Sequence, residues 1–184
     1  MRTHVALLRG INVGGRNKVP MADLRELMTS LGLTDVATYI QSGNVVFTTS
    51  ETDIGALAEL LDQAVMERFK VPGHVVVVSR DELAQVIGDN PYPEESNPKA
   101  LHAVFRRTNL TADDVAAIEK ARQRAAGKGG QDGVTIVGRT LFLHTPDGLG
   151  RSELAAQLSR TSPNSTGTAR NWATVQKLMA MLEG

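Results

Sequence analysis

HVALLRGINVGGRNKVPMADLRELMTSLGLTDVATYIQSGNVVF, residues 4–47, decides the fold, because its apolar residues change period twice. HVALLR (4–9) is a short apolar run stopped by glycine, as a buried strand reads. Met21, Leu24, Leu27, Met28 and Leu31 then recur at helical spacing, with Pro20 suited to the first turn and Gly32 to the stop. DVATYI (35–40) and NVVFTT (44–49) return to strand chemistry, and Ser42-Gly43 turns the hairpin between them. Further on, Ile54, Leu57, Leu60, Leu61, Val65 and Phe69 form a second helical stripe behind Thr52 or Asp53 as cap, and HVVVVS (74–79) adds a strand. The order βαββαβ predicts a ferredoxin-like half, an antiparallel sheet with helices on one face.

Beyond it the pattern starts again. Residues 80–88 have helical spacing, and NPYPEESNP (90–98) holds three of the seven prolines, which push their preceding residues out of helical geometry. The expected organisation is an N-terminal half at 1–80, a bridge at 81–99 and an α+β half at 100–184, packed with the first as one compact unit. ALHAVFRR (100–107) is a strand, and Thr111 caps a helix to about Ala125 with Asp114 in its first turn. GKGGQDG (127–133) reads as a flexible loop. A hairpin at 133–137 and 140–145 turns on Gly138-Arg139. Helices at about 150–160 and 170–183 close the chain, the last with Trp172, Val175, Leu178, Met179 and Leu182 on one stripe. The second half is thus expected as βαββα plus a C-terminal helix. The fold class is α+β with mainly antiparallel sheet.

Composition narrows the function. The 184 residues carry 20 Lys+Arg against 20 Asp+Glu, so the chain lacks the cationic excess that coating duplex DNA demands. Aromatics are only 4%, which makes the core aliphatic. Without cysteine there is no disulfide framework, CxxC pair or thiolate metal site. The first apolar run is too short for a signal peptide, and none approaches the roughly 20 residues of a membrane span. A cytoplasmic protein with no membrane contact is expected.

Several chemistries fail on their motifs. In GINVGGRNK (10–18), Gly10 and Gly15 have phosphate-loop spacing, but Arg16 and Asn17 stand where Lys and Ser/Thr belong; no GxGxxG occurs either. His4, His74, His102 and His144 all fall in strands without metal-ligand spacing, so no metal or cofactor is expected. Ser42 lies in QSGN, not GxSxG, and the first strand lacks the aromatics that stack RNA bases.

The positive signals lie in loops. Residues 1–20 hold Arg2, Arg9, Arg16 and Lys18 and no acid. In an antiparallel pairing of the first and third strands, Arg9 and Asn12 converge with Gln41, Ser42 and Asn44, a polar set able to orient a ligand. GLGRSEL (148–154) puts Arg151 and Ser152 at a helix start, where unpaired N–H groups favour anions. TARNWATV (168–175) presents Arg170 and Asn171, while Trp172 belongs to the apolar stripe. Turn chemistry is the better account of Gly43, and Ser152 reads equally well as a helix cap.

Residues 4–47, PDGLGRSEL (146–154) and GTARNWATVQKL (167–178) together resemble the domain of unknown function 1697 family. The resemblance implies a bacterial-type cytosolic α+β protein of two related halves and implies no activity. Its signature falls on Arg9, Gly10, Asn12, Gly14, Lys18, Pro20 and Met21, then Gln41, Ser42, Gly43 and Asn44. It continues with Gly150, Arg151 and Ser152, and with Arg170, Asn171 and Trp172. The residues favour binding of a phosphate-bearing small ligand or a nucleic-acid end, through Arg9, Asn12, Lys18, Gln41, Ser42, Asn44, Arg151, Ser152, Arg170 and Asn171. Broader nucleic-acid binding is not favoured, although Arg106, Arg107, Lys120, Arg122, Arg124 and Lys128 leave room for a basic patch. An interaction module, or an enzyme on a phosphorylated substrate, are the alternatives.

Overall fold

A computed structural model describes residues 1–127, 131–161 and 167–184. The expected loop at 127–133 therefore falls partly, at 128–130, outside the described residues. The chain divides into two units, Met1–Gln85 with Gln176–Gly184, and Val86–Val175. No helix among the described residues is long and apolar enough to cross a membrane.

The first unit runs β1 (His4–Leu8), α1 (Met21–Ser30), β2 (Thr34–Tyr39), β3 (Asn44–Thr48), α2 (Ile54–Phe69) and β4 (Val75–Ser79). The sheet order is β2-β3-β1-β4, antiparallel throughout. Ala6, Leu8, Val45, Phe47, Val75 and Val77 pack with Leu24 and Met28 of α1 and Leu57, Leu61 and Val65 of α2. Val5, Leu7, Val46, Val76 and Val78, on the opposite face, are equally buried. Strands covered on both faces read as unbroken apolar runs, and VVVV is one. Asp53 is the cap of α2, its carboxylate accepting from the N–H groups of Gly55 (3.0 Å) and Ala56 (2.9 Å).

After α3 (Arg80–Gly88), the second unit holds β5 (Leu101–Phe105), α4 (Ala112–Ala126), β6 (Gly133–Val137), β7 (Thr140–His144), α5 (Glu153–Thr161) and β8 (Thr168–Asn171). Its sheet order is β6-β7-β5-β8, again antiparallel. Leu143 packs with Ala121 and Ala125 of α4 and Leu154 of α5, and on the other face Phe142 meets Trp172 at 6.0 Å between ring centroids. Trp172 opens α6 (Trp172–Glu183), whose later residues belong with the first unit.

β8 corrects the sequence reading, which placed its last two residues in the final helix. Thr168–Asn171 pair with β5 instead, from Phe105↔Thr168 to His102↔Asn171. Pairing with a strand far back in the chain overrides local preference here. Asn171 then caps α6 by accepting from the Thr174 N–H at 2.9 Å, so the helix begins after it. The second half is therefore also βαββαβ, with the strand order of the first.

Candidate functional site

The loop leaving β1 is built by its own side chains. Ile11 and Val19 are buried, while Arg9, Gly10 and residues 13–18 are exposed. Asn12 ties the loop at both ends. Its amide donates to the carbonyls of Val19 and Gln41, each at 2.9 Å, and its Oδ1 accepts from the Val19 N–H at 2.8 Å. Asn17 donates to the Gly10 carbonyl at 2.9 Å, and Val13 bridges Arg16 across Gly14-Gly15. Both glycines have positive φ (58° and 76°), as a type I′ turn requires. Nothing lies within 4 Å of where their Cβ atoms would be, so backbone angle rather than crowding selects glycine there.

The hairpin turn between β2 and β3 meets this loop. Asn44 is fully buried and donates to the Tyr39 carbonyl and to Ser42 Oγ, both at 3.0 Å. Leu8 N–H donates to the Gly43 carbonyl at 2.8 Å. The expected convergence of Asn12 with the QSGN turn is thus present, but through the backbone of Gln41. Both hydrogens of each amide, Asn12 and Asn44, are used within the protein. Arg9, Lys18, Gln41 and Ser42 are the candidates on the exposed side.

In the second unit, Ser152 is buried; its hydroxyl donates to Asp132 Oδ2 at 2.8 Å and accepts from the Ala155 N–H at 2.9 Å, capping α5. Arg151 is exposed at the end of a single 3-10 turn, Leu149–Arg151. Arg170 is buried on β8, donating to Thr168 Oγ1 (2.7 Å) and the Ala169 carbonyl (2.8 Å). Burial lowers its pKa to about 10, since a low-dielectric site disfavours the cation. Asn171 is the α6 cap already described.

One cluster escaped sequence reasoning. His144 Nε2 meets Glu95 Oε2 at 2.6 Å, and the Tyr92 ring stacks on the imidazole with centroids 4.8 Å apart. The hydrogen bond from His144, then that from the Asn97 N–H, hold the Glu95 carboxyl below the usual carboxylate range. Glu95 lies in the proline-containing bridge, 49 positions from its partner, and no local pattern announces the pair. His4 and His102 are instead buried, and burial lowers both pKa values. Among the described residues no group of three or more His, Asp or Glu could hold a metal.

Two βαββαβ units of the same strand order, the first with a self-braced cationic loop, define an α+β protein. Residues 1–142 match the model of the family described as protein of unknown function (DUF1697), and the chain belongs to that family. The match takes in the braced loop and the QSGN turn and ends before residues 146–154 and 167–178. Among solved structures, the chain is similar to the conserved bacterial protein SP0830 from Streptococcus pneumoniae, with TM-score 0.76 and 25% identity over 98% of each chain. No curated protein matches it.

Proposed function

We propose that the loop at residues 9–18 and the adjoining Gln41-Ser42 turn bind a phosphate-bearing ligand, a small molecule or a nucleic-acid end. The observation that carries this reading is the Asn12 brace, which fixes an exposed loop bearing Arg9, Arg16 and Lys18 where the first 20 residues hold no acid. A loop ordered before the ligand arrives loses less entropy on binding. Cations and exposed backbone N–H groups suit phosphate oxygens, and glycines let the ligand approach closely. Neither the loop nor the turn contains His, Asp or Glu, which favours binding over acid–base catalysis there. A second reading, docking of another protein, draws support from Val13 and Ile40, which are 65% and 50% exposed beside the Asn12–Gln41 hydrogen bond.

The test is a thermal-shift titration with inorganic phosphate, nucleotides, sugar phosphates and short oligonucleotides with and without a 5′-phosphate. Ligand at 100 times its Kd adds about 2.7 kcal/mol of stability. Arg16→Ala and Lys18→Ala should each weaken binding about tenfold, the worth of one charge-assisted contact. Arg151→Ala, tested alongside, reports whether the second unit takes part. No shift with any phosphate overturns the reading and favours the docking surface.

A further inference from the structure

Each sheet ends in two edge strands, and three of the four are guarded against further pairing. On β2 the ladder is broken by a bulge between Thr34 and Ala37, where Asp35 has positive φ and its carbonyl is taken by Arg2 Nε at 2.7 Å. The valines of β4 are all buried, and the Val75 N–H donates to Asp62 Oδ1 at 2.6 Å. On β8 the Ala169 carbonyl is taken by Arg170 Nη1 at 2.8 Å. Among the described residues β6 carries none of these guards. Its sequence, GVTIV, holds no charge and no proline, every residue is half-buried, and its register with β7 runs unbroken from Gly133 to Val137.

The pairing with β7 fixes which backbone groups are idle. Only Gly138 and Arg139 join the two strands, so Val137 and Thr140 exchange both their hydrogen bonds. Such pairs alternate along an antiparallel ladder. Gly133, Thr135 and Val137 therefore bond to β7, and the N–H and C=O groups of Val134 and Ile136 point outward. These outward groups meet no partner among the described residues.

We propose that β6 is a self-association edge, pairing antiparallel with β6 of a second copy of this chain about a two-fold axis at Thr135. In that register Val134 of each copy exchanges hydrogen bonds with Ile136 of the other, which satisfies every outward group without drawing on a residue outside the strand. Thr135 stands opposite its own counterpart in the non-hydrogen-bonded position, where side chains approach most closely. The charges agree with this pairing. Asp132 precedes the strand and Arg139 follows it, so the antiparallel copy brings an acid and a base to each end, and no like charges meet across the middle. A two-fold contact needs a patch that complements itself. The edge of β6 does so in backbone groups and in charge, and this selects a second copy over a foreign strand.

Sedimentation equilibrium of the intact chain, from micromolar to near-millimolar concentration, should show monomer and dimer in exchange. Thr135→Lys and Thr135→Glu each set like charges across the two-fold axis and should weaken the dimer about tenfold or more. Mixed in equal amounts, the two variants should restore it. Both lose the contact of the Thr135 hydroxyl with Tyr92, so only charge separates the mixture from its components. Amide exchange followed by NMR on the wild type reads the register without any substitution. The Val134 and Ile136 N–H groups should become protected as concentration rises, while the Thr135 N–H, already bonded to β7, should not change. A wild type that stays monomeric throughout, or a dimer that both single variants keep, overturns the proposal. So does a mixture of folded variants that stays monomeric, or a dimer that forms without new protection at Val134 and Ile136.

Discussion

Gly43 has no room for a side chain. An added Cβ would stand 2.7 Å from Ile11 Cδ1 and 2.8 Å from Leu8 Cβ, and its φ is +79°. Leu8 Cβ sits on a buried central strand and cannot swing aside, so Gly43→Ala combines overpacking with left-handed strain. It should cost about 2–4 kcal/mol, read as a lower denaturant midpoint at unchanged m-value. Sequence reading already assigned Gly43 to the turn, since glycine supplies positive φ. The role of Asn12 was less legible. An asparagine in a glycine-rich loop looks the same in sequence whether its amide meets a ligand or braces the chain. Its partner is a carbonyl 29 positions away, which only the folded hairpin brings within 2.9 Å.

Among the elements, α4 has the most fully specified start. Thr111 Oγ1 accepts from the Asp114 N–H, and Asp114 Oδ2 accepts from the Thr111 N–H, a reciprocal capping box. The same carboxylate takes Arg106 Nη2 at 2.9 Å, which joins the helix start to the end of β5. The backbone hydrogen bond from Thr111 is the main cause holding the Asp114 carboxyl low, and the Arg106 cation adds to it. Asp114→Ala removes the reciprocal half of the capping box and leaves Arg106, only 8% exposed, without its carboxylate. The expected loss is about 1–3 kcal/mol, measured by urea unfolding. Thr111 and Asp114 could be read directly because capping is a three-residue relation. The strand at Thr168–Asn171 could not, since four residues without alternation carry no period and only the edge of β5 makes them a strand.

At the scale of the whole molecule, the buried histidines make stability depend on pH. His4 and His102 are both buried, and His102 Nδ1 has no hydrogen-bond partner among the described residues. Burial depresses their folded pKa values below 6.5, so the unfolded chain binds more protons as pH falls through that value. Stability should be flat above about pH 6.5 and decline below it, by at most about 1.4 kcal/mol per pH unit for each histidine. Urea midpoints at about pH 8, 6.5 and 5.5 check this, and His102→Leu should remove its share of the slope. By itself the sequence determined the order of elements as far as α5, the short apolar strands and the cationic loop, because period, turn chemistry and local charge are properties of neighbouring residues. Tertiary structure alone decided that Thr168–Asn171 is a strand, that Asn12 is a brace and that Glu95 finds His144. Each depends on a partner far along the chain, whose position is set only when the sheets have closed.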